Sequence, residues 1–154
     1  MRLLICDDHE ALLQALSMAL TQRGHVVVAT ALDPHEAVAA ASEHQPDACL
    51  LDVNFPDANG LTAIARIHAV SPHTKVVILS ACSDRGLVAD AIAAGAHGFI
   101  GKEKPLDAIE AALETVRRGH LAVDRLQLPP IPPPPPIEGP PGPWSSSPAA
   151  VGRR

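Results

Sequence analysis

Hydrophobic positions along the chain follow two alternating rhythms. Short apolar runs lie at Leu3–Cys6, Val26–Ala31, Ala48–Leu51, Val76–Leu79 and Gly98–Ile100. Unbroken runs of this length suit strands buried on both faces of a parallel sheet. Between them, apolar residues recur every three or four positions, at Glu10–Gln22, Pro34–His44, Leu61–Val70, Gly86–Ala94 and Leu106–Arg118. That spacing predicts helices with one apolar face. In the first of these, Leu12, Ala15, Leu16, Ala19 and Leu20 form the expected core stripe. Helix boundaries are marked as well. Asp33 is placed to cap, Pro34 suits the first turn, and Glu36 supplies the acid of a capping box. Gly24, Gly95 and Gly119 follow the last periodic residues, where a left-handed turn ends a helix.

Five strand–helix units joined by short loops predict an α/β fold, a doubly wound five-stranded parallel sheet with helices on both faces. Right-handed crossovers restrict its topology, and five units fit the flavodoxin-like order 2-1-3-4-5. Ligands of such sheets bind beyond the carboxyl ends of the strands, where the order reverses beside strands one and three. The helical rhythm stops near Gly119. Eleven of the sixteen prolines fall within Leu128–Arg154. Such a segment can form neither helix nor sheet ladder. The chain therefore divides into a folded domain at 1–119 and a proline-rich, disordered tail at 120–154. Removing residues 121–154 is expected to leave thermal stability nearly unchanged.

Charge narrows the function. Residues 1–119 carry nine Lys/Arg against fifteen Asp/Glu, and the whole chain has two Phe, one Trp and no Tyr. An acidic body with few stacking rings does not bind nucleic acid. Cys6, Cys49 and Cys82 lack any CxxC spacing and read as free, buried thiols in a reducing cytosol. The eight histidines are scattered without zinc-binding spacing. No membrane span or signal peptide is evident, so a soluble, cytoplasmic protein is expected.

The residues that follow each strand carry the chemistry. Strand one runs into Asp7 and Asp8, strand three into Asp52, strand four into Ser80, and strand five ends near Lys102. The predicted topology gathers them at one edge of the sheet. Two carboxylates about 4 Å apart repel by about 4 kcal/mol at an effective dielectric near 20, so a cation is required. An all-oxygen acidic set suits magnesium, which shares phosphate oxygens. Lys102 offers a point charge and Ser80 a hydroxyl to a phosphoryl group. Together with a carboxylate nucleophile, these parts make a phosphoryl-transfer site. A P-loop is excluded, because GxxxxGK[ST] is absent.

The stretches DDHE at 7–10, LLDVNFPDANG at 50–60, LSA at 79–81 and GAHGFIGKEKP at 95–105 resemble the receiver domain of bacterial response regulators, most closely the LuxR-type (NarL-like) group. The resemblance covers residues 1–119. It implies Asp52 as the phosphoacceptor, and magnesium held by Asp7, Asp8, Asp52 and the backbone carbonyl of Asn54. Ser80 becomes the switch hydroxyl, Lys102 the partner of the phosphoryl group, and Phe99 the switch aromatic. Pro56 and Gly60 shape the loop after the acceptor strand. It further implies a sensor histidine kinase as donor, and dimerisation through helix four, strand five and helix five. The implied protein is a phosphoacceptor, with at most slow self-dephosphorylation, and not an enzyme.

One departure stands out. LuxR-type regulators continue into a helix-turn-helix domain, and the prolines here forbid one. Direct DNA binding is therefore not expected. The alternatives are a stand-alone receiver, a transcription regulator that has lost its DNA-binding part, and a phosphorylation-independent binding module. A further reading is a receiver whose tail is itself a ligand for a proline-binding partner, with Trp144 as anchor.

Overall fold

The computed structural model describes residues 1–123, and the proline-rich stretch with Trp144 lies outside them. Its elements are β1 (Arg2–Cys6), α1 (Glu10–Gln22), β2 (Val26–Ala31), α2 (Pro34–His44), β3 (Ala48–Asp52), α3 (Leu61–Val70), β4 (Lys75–Ser80), α4 (Arg85–Ala93), β5 (Gly98–Gly101) and α5 (Leu106–Arg117). The strands are all parallel, in the order β2-β1-β3-β4-β5. This is the expected flavodoxin-like sheet. Among the described residues no helix is long and apolar enough to cross a membrane.

Strand periodicity divides the core into two layers. Leu4, Cys49, Leu51, Ile78 and Phe99 project toward α2, α3 and α4, where Ala37, Ile64, Ile67 and Val88 meet them. Leu3, Ile5, Leu50, Val77 and Ile100 project the other way, onto Leu13, Leu20, Ile109 and Leu113 of α1 and α5. Each fully buried Leu or Ile contributes about 1.5–3 kcal/mol. Small residues at Ala37, Ala41, Ala63 and Ala91 let three helices lie close to the sheet.

Local signals hold with instructive exceptions. Gly24, Gly95 and Gly119 take positive φ as expected, and Gln45 after α2 does so without being glycine. Its side-chain amide donates to the carbonyls of Ala41, Ser42 and Val70, which offsets the strain of that turn. Asp33 Oδ1 accepts the Glu36 N–H at 2.9 Å. The Glu36 carboxylate, however, takes the N–H of Leu32 and not that of Asp33. In α1 the stripe is centred on Leu13 and Leu20, and Ala15 is exposed. A helix this rich in Leu and Ala fits more than one helical stripe, and packing selects among them. Cys6 and Cys49 are buried, whereas Cys82 is exposed in the loop before α4. Burial pushes the Cys49 thiol up to about 12, so it stays protonated and inert.

At the opposite end of the sheet from the acidic residues, His68 and His97 meet edge to face with ring centroids 5.2 Å apart. His97 Nδ1 accepts the Val76 N–H at 3.2 Å, which requires the neutral ring. Burial lowers both pKa values, with Lys75 adding to the effect. A base with a depressed folded pKa contributes stability above its unfolded pKa and loses it as pH falls through the folded value. Urea midpoints should therefore drop as pH is lowered from neutrality through the histidine range. His97→Asn should flatten that dependence.

The chain does not leave the sheet at Gly119. Ala122 forms a parallel bridge with Gly98 on the free edge of β5. The Ala122 N–H donates to His97 O at 2.9 Å, and Ala122 O accepts the Phe99 N–H at 2.9 Å. Removing residues from 121 onward would strip these bonds, so the near-neutral effect expected from sequence requires a cut beyond Val123.

Candidate functional site

Parallel register decides which side chains meet at the carboxyl edge. Cys6 is paired with Leu51, so the residues that follow them, Asp7 and Asp52, emerge side by side. Ser80 is paired with Gly101, so Lys102 leaves β5 next to the end of β4. The Lys102 N–H donates to Ser80 O at 2.8 Å and aims the lysine back across the strand ends. Its Nζ lies 2.5 Å from Asp7 Oδ2 and 2.8 Å from Asp52 Oδ2. One ammonium thus bridges two carboxylates from neighbouring strands.

Both carboxylates are 2% exposed. Leaving either charge without a partner at such a position would cost several kcal/mol. Burial alone pushes the Asp7 carboxyl up. Hydrogen bonds from Lys102 and the His9 amide, with the lysine's charge, outweigh it and hold Asp7 below the usual carboxylate range. Lys102 responds in the opposite sense. Burial lowers its pKa, bonds to Asp52 and Asp7 more than compensate, and the net shift is upward. Asp7 is thus favoured as the anion and Lys102 as the cation that faces it.

Asp8 completes the acidic group on the more open side. His9 Nδ1 sits 3.1 Å from Asp7 Oδ1 and 3.0 Å from Asp8 Oδ1. Its hydrogen bond goes to Asp7, and its backbone N–H also donates to Asp7 Oδ1 at 2.9 Å. Asp8 Oδ1 is buried and receives no hydrogen bond from the described residues. Ligand atoms of Asp7, Asp8 and His9 all lie within 4.8 Å of one another. A buried, orphaned carboxylate oxygen beside the Asp7 carboxylate fits a hard divalent cation such as magnesium, although Asp52 is not part of this close group. No signal in the sequence marks His9 as a partner of the acids. Its contact with both acids depends on its place at the N-cap of α1, which spacing alone does not reveal. Asp7 itself does not cap that helix.

The remaining expected residues divide between the edge and the core. The Asn54 N–H donates to Asp52 Oδ1 at 3.1 Å. Ser80 is fully buried, and its Oγ accepts the Cys82 N–H at 3.1 Å, so its own proton can still be donated. Asp84, and not Ser80, caps α4 through the Leu87 N–H. Phe99 is packed into the core layer with Val53 and Val88, away from the charged cluster. Pro56 is exposed in the loop after β3, which an Asn54–Asn59 bridge closes.

Gly60 seats that loop. A Cβ there would stand 2.2 Å from the Asp52 carbonyl oxygen and 2.8 Å from Val53 Cα, both backbone atoms. Nothing flexible can yield. Gly60→Ala is expected to cost about 1–3 kcal/mol and to displace Asp52, visible as a lower urea midpoint.

Comparison with known proteins agrees with this geometry. The family model described as response regulator receiver domain matches residues 3–114. The oxygen regulatory protein NreC of Staphylococcus epidermidis is 36% identical over 126 residues, which cover 80% of this chain and 58% of that protein. The chain thus spans little more than half the length of this relative. The signal receiver domain of the NarL regulator from Mycobacterium tuberculosis superposes with a TM-score of 0.72 at 29% identity, over 77% of this chain and 97% of that one. A CheX–CheY–BeF3–Mg complex from Borrelia burgdorferi superposes with a TM-score of 0.71 at 28% identity, over 75% and 88% of the two chains. With the family model spanning most of the folded residues, this chain belongs to the response regulator receiver domains, the phosphorelay modules of two-component signalling.

Proposed function

We propose that Asp52 accepts a phosphoryl group from the phosphohistidine of a sensor kinase, within a receiver domain that occupies the folded part of the chain. The observation that carries this reading is the single lysine bridging two buried carboxylates, Lys102 between Asp7 and Asp52. Such a lysine already faces the acceptor and can move onto a phosphoryl oxygen as the acceptor's own charge is consumed.

In the transfer, the P–N bond of the donor breaks as a P–O bond to Asp52 forms, and the donor imidazole retains the bonding pair. Asp7, Asp8, Asp52 and the Asn54 carbonyl are the residues that would hold magnesium. Bound there, the ion supplies positive charge against the phosphoryl oxygens. The Asn54 N–H orients Asp52 through Oδ1. Lys102 turns from carboxylate to phosphoryl oxygen. Ser80 keeps accepting the Cys82 N–H and donates a hydrogen bond from its hydroxyl to the same group. Phe99 then couples β5 to α4 and α5, the surface through which a partner or a second copy reads the state. The chain is consumed as an acceptor and not turned over, apart from slow hydrolysis of its own acyl phosphate.

The NreC relative is named as an oxygen regulatory protein. The test is intact mass after incubation with a small phosphodonor and magnesium. One added phosphoryl group, absent when chelator is included in the incubation, is the expected result. No addition would remove the reading.

A further inference from the structure

The segment beyond α5 occupies the outer edge of β5, against the one strand that carries both Phe99 and, just past its end, Lys102. It meets that edge through a single parallel bridge, Ala122 to Gly98. Two backbone bonds hold it, from Ala122 N–H to His97 O and from Phe99 N–H to Ala122 O, each 2.9 Å. Its side chains alternate across the sheet. Ala122 packs with the α1–α5 layer, and Val123 packs with the layer that contains Phe99. Gly98 permits the approach, because a Cβ there would lie 3.2 Å from both Ala122 Cβ and Ala122 O. The Phe99 ring, for its part, is already buried.

We propose that residues 120–123 form a strap whose docking on β5 and phosphoryl binding at Asp52 favour the same Phe99-buried state, so that each strengthens the other. The strap pins the Phe99 backbone through its N–H and covers its layer with Val123. The proposal rests on the phosphoacceptor reading for the identity of the ligand, but not for the docking. Coupling between two sites is reciprocal. On this proposal a ligand that favours the Phe99-buried state tightens the strap, and loss of the strap weakens that ligand by the same factor. The strap would in this way carry the state of the site to whatever follows Val123 in the sequence.

Amide hydrogen exchange on the full-length chain tests both halves, with beryllium fluoride and magnesium as the phosphoryl mimic. The Ala122 and Phe99 amides should be protected in the free protein and should exchange more slowly still with the mimic bound. Ala122→Pro removes one strap bond, and Val123→Ser removes the side-chain contact while keeping the backbone. Each should weaken binding of the mimic by about fivefold or more, the lower range of allosteric coupling. An Ala122 amide that exchanges freely in the unmodified chain would overturn the docking, whatever the site binds. Bound mimic, seen as shifted Asp52 and Lys102 resonances, with unchanged or faster Ala122 exchange would overturn the coupling. Absence of any mimic binding would overturn the phosphoacceptor reading, and the coupling with it.

Discussion

Asp52→Asn is expected to abolish phosphoryl addition completely while leaving the chain folded. The acceptor must be a nucleophile, and an amide oxygen is a far weaker one than a carboxylate. The shape of the residue is kept, so the contacts from the Asn54 N–H and from Lys102 can persist with a neutral partner. One of two carboxylates around Lys102 is lost, which leaves the lysine paired with Asp7 alone. A net cost below about 1.5 kcal/mol follows, since the remaining pair still satisfies both charges. Intact mass and thermal unfolding on the same sample check the two halves. Phosphoryl addition that survives in the variant would place the acceptor elsewhere, with Asp8 the first residue to examine.

Lys102→Met should produce the larger loss of stability, and one that shrinks as pH is lowered. The substitution keeps the length of the side chain and leaves Asp7 and Asp52 facing each other, each 2% exposed. Breaking a buried pair costs about 3–5 kcal/mol, and the low end applies because Lys102 keeps some contact with water. In the unmodified chain Asp7 lies below its ordinary pKa, so its contribution is present above the unfolded value and fades as pH falls through the folded one. Without the lysine, burial dominates and raises that pKa. The contribution then exists below the unfolded value and is lost as pH rises through the folded one. Urea midpoints for the variant should therefore approach those of the unmodified chain on acidification. An equal deficit at all pH values would mean that Lys102 acts by packing its methylenes and not by charge.

Much of this arrangement was legible before any coordinates. Asp7, Asp52, Ser80 and Lys102 announce themselves because each directly ends or follows an apolar run, and parallel topology leaves strand ends one place to go. Gly60 was legible as a loop residue, but its reason was not. The 2.2 Å approach to the Asp52 carbonyl is a fact of tertiary packing that no spacing encodes. His9 was missed as a partner of the acids for a similar cause. Gln45 was missed because a left-handed turn normally advertises itself with glycine, and here a side-chain amide substitutes by bonding three carbonyls. The strap at His120–Val123 was taken for the start of a tail, since a single bridged residue carries no hydrophobic period.

The bridging lysine also fixes an order of events. Lys102 lies 50 residues after Asp52 in the chain. At ribosomal rates of about 5–20 residues per second, it emerges roughly 3–10 s after its partner. Over that interval β1 and β3 can pair, and their pairing presses two like charges together with no ammonium between them. That corner therefore lacks the Lys102 ammonium until β5 arrives. The charged edge can close around its own cation only once β5 has been made, so the lysine that serves the site is also a late arrival to it.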